Sequence, residues 1–303
     1  GGNTIGGAIN FVTKTGESAP PLGLRAEGGS FGFVKTYAET GQTFGATDLF
    51  GGASYTAQDG WRENAKQHRE RVYGSAGHRF AGNATLRLDL NYVHNNQDIP
   101  GPLSLAQFED DPRQANAEYD MQRAARDYDW GRSALKARIP LSEETLLEWQ
   151  GQFNYQDLWH PLPFAIIDNE TSNGTSEARL VTLASLFGLP NRFVAGFQLL
   201  GTRQPERFHA NLSGEEGPTF VDRVNGAWTT ALYLENLLEV APGVELVLGG
   251  RGQYAWRGTH DLSDGDADDR VSFLSFVPRV GVVWSVQPTL QLFANVSQTV
   301  EPP

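Results

Sequence analysis

Hydrophobic and polar residues alternate with a period of two along much of the chain. The pattern is clearest from Val224 to Trp256, where two long alternating segments flank Ala241-Pro242-Gly243. Successive side chains of an extended strand point to opposite faces, so each segment predicts a strand with one apolar and one polar face. Proline presets φ and glycine accepts a positive φ, so the residues between the segments predict the tight turn of an antiparallel hairpin.

The same alternation recurs before and after this hairpin and predicts about 13 strands. It is regular in residues 86–92, 145–155 and 274–284, where aromatic and aliphatic residues take one face and polar residues the other. Residues 127–139 and 177–187 also predict strands, but their patterns do not assign the faces. The polar residues that we expect to face inward include Arg87, Glu148, Gln150, Arg251 and Arg279.

The connections between the predicted strands alternate between a short set and a long set. The short set comprises Gly45-Ala46, Ala81-Gly82-Asn83, Leu141-Ser142-Glu143, Leu189-Pro190-Asn191, Pro242-Gly243 and Gln287-Pro288. The long set comprises residues 59–69, 95–126, 156–175, 202–223 and 259–270. An outer-membrane barrel has short turns on one side of the bilayer and longer loops on the other. The chain is therefore predicted to be all-β and to form part of a transmembrane antiparallel up-and-down β-barrel.

Aromatic residues cluster near the ends of strands that lead into the long connections. They are Tyr92, Tyr128, Trp130, Tyr155, Trp228, Tyr254 and Trp256. Amphipathic rings favour the boundary between hydrocarbon and water. Their shared level along the strands predicts an interfacial girdle.

The composition agrees with a spanning barrel. The mean hydropathy is -0.40, which a barrel permits because only alternate positions face lipid. No apolar run approaches the roughly 18 residues that a membrane helix requires. The formal net charge of -12 argues against a nucleic-acid partner. The chain has 0 Cys, which excludes disulfides and thiolate metal sites.

The residues that carry chemistry in other proteins form no catalytic or metal-binding motif in this sequence. The histidines are scattered, at His68, His78, His94, His160, His209 and His260. Residues 28–32 have the spacing of a nucleophile elbow, but the residues that follow favour a strand rather than the required helix. Asp264, Asp266 and Asp268 imitate a calcium-binding loop that lacks the required glycine and glutamate. We therefore predict that the protein is not an enzyme and holds no metal.

Residues 1–16 read GGNTIGGAINFVTKTG and resemble the segment that closes the plug of TonB-dependent outer-membrane transporters. The resemblance implies that residues 1–16 are the C-terminal end of a plug domain, with Gly6, Gly7 and Asn10 at its seam. It also implies that residues 17–303 are the N-terminal part of the barrel. Plugged barrels of this kind have about 22 strands, so we expect the sequence to be a fragment.

The same resemblance implies active uptake of a ferric chelate, either ferric citrate or a siderophore, across the outer membrane of a Gram-negative cell. The implied partners are TonB with ExbB and ExbD, acting through the missing N-terminal plug region, together with outer-membrane lipid and lipopolysaccharide. No cofactor is implied. The alternatives are a receptor of the same family for a cofactor or vitamin, and a passive porin-like barrel, which would lack the plug segment. A soluble β-sandwich enzyme would need a convergent acid–base pair, which the sequence does not show.

Two segments, residues 97–115 and 159–164, are similar to loops of the ferric-citrate-receptor branch of this family. In the first, Leu103 to Gln107 predict a short helix with Ser104 as its cap. A ferric chelate of carboxylates is anionic, and the planar fork of arginine pairs with carboxylate. The candidate ligand residues at the outer mouth are His94, Gln97, Arg113, Arg123, Arg126, Trp159, His160, Arg203, Arg207 and Arg257.

Overall fold

The computed structural model describes residues 12–263 and 267–300, most of which belong to one antiparallel sheet. Its strands are β1 Gly23–Gly28, β2 Val34–Phe44, β3 Thr47–Gln58, β4 Gln67–Arg79, β5 Thr85–Gln97, β6 Asp127–Pro140, β7 Thr145–Leu162, β8 Ala165–Thr182, β9 Asn191–Leu212, β10 Glu215–Ala241, β11 Val244–Asp261, β12 Ala267–Gln287 and β13 Leu290–Ser297. Two short helices, α1 Leu105–Asp110 and α2 Ala117–Met121, lie between β5 and β6. None of the helices in the described ranges is long or apolar enough to cross a membrane.

The sheet has the simplest possible topology. Each strand pairs antiparallel with its neighbours in sequence, and the spatial order runs from β1 to β13 without a crossover. β1 and β13 are therefore the edge strands of the described sheet. The predicted up-and-down arrangement of about 13 strands is confirmed.

The predicted antiparallel hairpin of β10 and β11 is present. Trp228 lies opposite Trp256, and the pairing continues to Ala241 and Val244. Pro242 and Gly243 form the turn, and Gly243 has a φ of 74°. Glycine adopts this left-handed conformation without the steric cost that a Cβ would impose.

Three of the predicted long connections are wrong in their secondary structure. Residues 156–175 and 202–223 form continuous hairpins whose turns are only Pro163-Phe164 and Ser213-Gly214. Most of residues 259–270 also continue β11 and β12. These segments mix polar and apolar residues without a period of two, so the apolar alternation that indicated strands elsewhere is missing from them. Backbone hydrogen bonding does not need that alternation, and the hairpins extend beyond the apolar part of the sheet.

The two rims of the sheet differ in the connections between their strands. We call the rim with residues 98–126 the loop rim, and the opposite one the turn rim. The loop rim also carries the connection 59–66 and the extended hairpins. The turn rim carries short turns and one longer connection, residues 183–190, so the strict alternation of short and long connections is not observed. The longest connection, residues 98–126, and the extended hairpins lie at the loop rim.

The sheet has one polar and one apolar face. The buried polar residues Glu39, Asp48, Ser75, Asp89 and Asn95 share one face by register, which we call the polar face. Arg87 bridges two strands there, with Nη2 2.6 Å from Asp48 Oδ2. The polar residues predicted to face inward all lie on this face: Arg87, Glu148, Gln150, Arg251 and Arg279.

The opposite, apolar face exposes large hydrophobic side chains. Leu232 is 65% exposed and Leu274 is 84% exposed. Of the predicted girdle residues, Tyr92, Tyr155, Trp228, Tyr254 and Trp256 lie on the apolar face. Tyr128 and Trp130 do not, because their register partners Asn95 and Gln156 place them on the polar face. The girdle prediction is wrong for these two, since the pattern of β6 did not assign its faces.

Candidate functional site at the loop rim

The connection from Asp98 to Arg126, which we call the long loop, is ordered by its own caps. Ser104 and Gln107 form a capping box at the start of α1, as the predicted cap requires. Asn116 caps α2 by accepting hydrogen bonds from the backbone of Glu118 and Tyr119. The predicted helix is confirmed, although it begins at Leu105 rather than Leu103.

Arg62, from the connection between β3 and β4, fastens one side of the long loop. Its guanidinium donates to the backbone carbonyl of Gly101 at 2.6 Å, of Gln114 at 2.9 Å and of Pro100 at 3.2 Å. One side chain therefore joins the start of the long loop to the segment between α1 and α2. A charged donor makes such bonds stronger than neutral ones.

The other side of the long loop is fastened to two hairpin tips. Asn211, near the tip of β9 and β10, donates to the backbone carbonyl of Gln122 at 2.9 Å and to that of Leu162 at 3.0 Å. His160 donates from Nδ1 to the backbone carbonyl of Ala125 at 2.5 Å. Ile166, at the base of the β7–β8 tip, is fully buried. The long loop, called the strap below, therefore connects the β3–β4 connection with the tips of the β7–β8 and β9–β10 hairpins along the loop rim.

Asp98, at the start of the strap, lies in a mixed-charge cleft beside Lys66 and Arg113. Its backbone donates to the carbonyl of Lys66 at 2.8 Å. Burial, with the nearby carboxylate of Asp127, raises the pKa of Asp98 above its ordinary value, and Lys66 only partly opposes this shift.

The structure does not bring the ten candidate ligand residues together. Gln97, His160 and Arg257 lie on the polar face. The apolar face carries His94, Trp159, Arg203 and Arg207. The long loop carries Arg113, Arg123 and Arg126.

The candidates outside the polar face already have partners on the protein in several cases. His94 Nδ1 lies 2.9 Å from Asp129 Oδ1, and Arg207 Nη2 lies 3.0 Å from Asp168 Oδ2. In the strap, Arg113 Nε donates to the backbone carbonyl of Trp61 at 3.1 Å.

A polar cleft of about 260 Å³ lies on the polar face near the loop rim, and we call it the polar mouth. Its polar lining residues are Thr202, Gln204, Asn225, Arg257, Thr259, Asp269 and Arg270. Thr259 Oγ1 donates to Asn225 Oδ1 at 2.9 Å, which fixes the amide. Nearby, Arg223 Nε donates to Glu206 Oε2 at 2.5 Å.

Sequence reasoning found only Arg257 among the residues of the polar mouth. Gln204 and Asn225 face each other across β9 and β10, and Thr259 faces Asn225 across β10 and β11. Gln204 and Thr259 were assigned to long connections, so no strand register was available to bring them to Asn225, which lies at the start of the predicted hairpin. Among residues 12–263 and 267–300 no group of three His, Asp or Glu side chains is placed to hold a metal ion. Asp264 and Asp266 of the calcium-like motif lie outside the described residues.

The segment before β1 contacts the polar face. Lys14 Nζ lies 2.6 Å from Glu39 Oε1, and the backbone nitrogen of Gly16 donates to Asp48 Oδ1 at 2.9 Å. Glu39 and Asp48 are both buried. Of the predicted plug segment, Gly6, Gly7 and Asn10 lie outside the described residues.

The family model for TonB dependent receptor-like β-barrels matches residues 19–303. The chain belongs to this family. It follows that the sheet is the wall of an outer-membrane barrel, with the polar face toward the lumen and the apolar face toward lipid. Members of this family are transporters and not enzymes.

Solved structures share the fold. The ferric citrate transporter FecA in its unliganded form aligns with a TM-score of 0.81 and 17% identity, over 97% of this chain and 46% of that one. The ferric-catecholate import receptor Fiu from E. coli K12 in its open form gives 0.74 and 13%, over 92% and 54%. FpvA from P. aeruginosa, in a complex with a heterologous pyoverdine and iron, gives 0.73 and 13%, over 90% and 41%. The chain therefore spans about half the length of these proteins.

Proposed function

We propose that the protein is a receptor that takes up a ferric chelate, ferric citrate or a siderophore, through the outer membrane with energy from TonB, ExbB and ExbD. The observation that carries the proposal is the guanidinium of Arg257 in the polar mouth. The similar structures of FecA, Fiu and FpvA support it by their fold.

Hydrogen bonds hold one nitrogen of the Arg257 guanidinium, and the other two remain available to a ligand. Its Nη1 donates to the backbone carbonyl of Trp256 at 2.9 Å and to that of Trp228 at 3.4 Å. Its Nε and Nη2 make no hydrogen bond to any described residue. Two adjacent N–H groups of a fixed guanidinium suit a carboxylate in bidentate geometry. A chelate rich in carboxylates therefore fits this site.

The proposal divides the candidate ligand residues by face. Gln97, His160 and Arg257 reach the lumen side, and the strap residues Arg113, Arg123 and Arg126 lie above the opening. The four candidates on the apolar face, His94, Trp159, Arg203 and Arg207, face lipid and take no part in ligand binding under this proposal. Loops on a rigid scaffold are where ligand contacts concentrate.

The contacts of Lys14 and Gly16 support the division into a plug end at residues 1–16 and a barrel at residues 17–303. The end of the plug would be held to the wall by the Lys14–Glu39 ion pair and the Gly16–Asp48 hydrogen bond. A pull by TonB on the plug would be transmitted to these contacts.

The test is iron uptake by a strain that lacks the receptor and carries the full-length gene, with ferric citrate or a siderophore as the only iron source. Arg257→Gln should weaken uptake at low chelate concentration by about tenfold, because one charge-assisted bidentate contact is lost. Arg207→Gln removes an arginine from the apolar face and should leave uptake unchanged.

Three other outcomes would contradict the proposal. Equal uptake by the Arg257→Gln variant and the parent would remove its main support. Uptake that persists without TonB would favour a passive porin-like barrel. If the gene restores uptake of a vitamin such as cobalamin but of no iron source, the result would favour a receptor for a cofactor or vitamin.

A further inference from the structure

Two cross-strand rows of side chains line the polar face at the height of the polar mouth. The upper row runs from Arg71 on β4 through Trp130 on β6 to Thr259 on β11. The lower row lies two residues nearer the turn rim and runs from Tyr73 on β4 to Arg257 on β11. We call the two rows the lumenal track, and the polar mouth is its β9–β11 end. With about 4.8 Å between strands, the track follows the wall for about 34 Å.

Uncharged amides recur along the lumenal track. Thr202 Oγ1 donates to Asn173 Oδ1 at 2.8 Å, and Gln152 Nε2 donates to Asn154 Oδ1 at 3.3 Å. Asn154 and Asn173 are register partners, and their amide nitrogens donate to no described residue. Each therefore keeps an oriented pair of N–H donors for a ligand. The amide side chains of the track are Asn91, Asn154, Gln156, Asn173, Gln204 and Asn225.

The charges of the lumenal track are positive and unpaired, although the chain has a formal net charge of -12. Neither row contains an aspartate or a glutamate between β4 and β11. Arg71 and Arg132 make no hydrogen bond or ion pair with any described residue, and Arg132 Nε is buried. Nearer the turn rim the lumenal cations are paired instead, as Arg87 is with Asp48 at 2.6 Å. The track therefore suits an anion.

We propose that the lumenal track binds an acidic oligosaccharide, a chain of sugar rings that carry carboxylates. Arg71 and Arg132 pair with carboxylates, because the fork of arginine donates two parallel hydrogen bonds. The amides bind ring hydroxyls, and the indole of Trp130 packs against the apolar face of a sugar ring. A compact chelate would contact only one part of the track, whereas an extended chain contacts all of it. The inference adds a second class of ligand and rests on the lumenal position of the polar face, not on iron uptake.

The experiment is calorimetric titration of the full-length receptor in detergent. The probes are an oligogalacturonate, its monomer galacturonate, and an uncharged galactose oligosaccharide of equal length. The oligogalacturonate should bind at least about tenfold more tightly than either of the others, because only it has both the charge and the length of the track. Arg71→Gln and Arg132→Gln should each weaken its binding about tenfold and leave the uncharged probe unchanged. Trp130→Ala should weaken both oligosaccharides, because ring packing does not depend on their charge.

The controls make the same substitutions on the apolar face. Arg203→Gln removes an arginine and Trp256→Ala removes an indole from that face, so both variants should bind the oligogalacturonate as the parent does. Equal losses in a variant and its control would overturn the proposal. Equal binding of the oligogalacturonate and the uncharged probe by the parent, or of the oligogalacturonate and its monomer, would also overturn it. Iron uptake by the same variants, measured in parallel, separates this outcome from a failure of the proposed transport function.

Discussion

The hydroxyl of Tyr233 donates a hydrogen bond to Glu177 Oε1 at 2.6 Å, although the two residues lie on β10 and β8, which are not neighbours. The bond crosses β9 at Gly196, which is the register partner of both Tyr233 and Arg179. Glu177 also accepts from Gln150 on β7 at 2.9 Å. One carboxylate thus joins three strands of the lumenal wall.

This crossing predicts that Gly196 cannot carry a larger side chain. A Cβ at Gly196 would overlap the ring of Tyr233. Gly196→Val should therefore lower the stability of the barrel by about 1–3 kcal/mol, as expected for overpacking. The measurement is the temperature at which the purified receptor loses its compact form on a denaturing gel. Gly252→Val, at a glycine with open space on the apolar face, is the control.

Arg62 is predicted to control the order of the strap. Arg62→Gln removes a charged donor from three backbone carbonyls and should speed hydrogen exchange in residues 98–126 on the order of tenfold or more. Arg113→Gln removes a single hydrogen bond to Trp61 and should have a smaller effect. Equal exchange rates in the two variants would show that Arg62 does not hold the loop.

Asp98 gives the strap a predictable dependence on pH. Because the pKa of Asp98 is raised in the folded protein, protonation stabilises the folded loop. This stabilisation is fully present below the ordinary aspartate pKa and is lost as the pH rises through the raised value.

The measurement is hydrogen exchange of the strap, corrected for its intrinsic pH dependence, and protection should fall as the pH rises through this window. Asp98→Asn should remove the pH dependence and protect the strap at neutral pH. Asp110→Asn, at an exposed position of α1, should leave the dependence intact. A pH profile that is the same in the Asp98→Asn variant and the parent contradicts the assignment.

The ion pair of Lys14 with the buried Glu39 is predicted to hold the end of the plug against the wall. Lys14→Met leaves a buried carboxylate without its cation, which is costlier than the loss of an exposed pair. Protease cleavage near residues 12–18 of the full-length receptor should become faster. Lys136→Met, whose Nζ lies 3.1 Å from Asp89 Oδ2, breaks a wall pair in which no residue of 12–18 takes part and should not expose the segment.

The sequence predicted the fold wherever one face of a strand was apolar. Leu232 and Leu234 alternate with Tyr233 and Glu235, and this pattern is enough to place β10 and its partner. The same reasoning failed for residues 202–212, where polar and apolar residues do not alternate and the strand is held by backbone pairing and by polar side-chain contacts such as Arg207 with Asp168. The pattern of β6 is irregular, so it did not show that Tyr128 and Trp130 lie on the polar face.

The candidate site was less predictable than the fold. Residue type alone selected Arg203 and Arg257 together, yet they lie on opposite faces of the wall. A shift of one residue in register reverses the face of a side chain, so the loop assignments carried no information about direction. Contacts such as Arg62 with Gln114 join residues that are distant in sequence and that no local pattern connects.

The central claim is that the polar face of this sheet meets the lumen and the apolar face meets lipid. The chain has 0 Cys, so single cysteines can be introduced and spin-labelled one at a time along β10 of the full-length receptor in bilayers. Labels at Leu232 and Leu234 should be reached by oxygen dissolved in lipid, and labels at Tyr233 and Glu235 should not. Equal access of a water-soluble relaxant to all four positions would contradict the account.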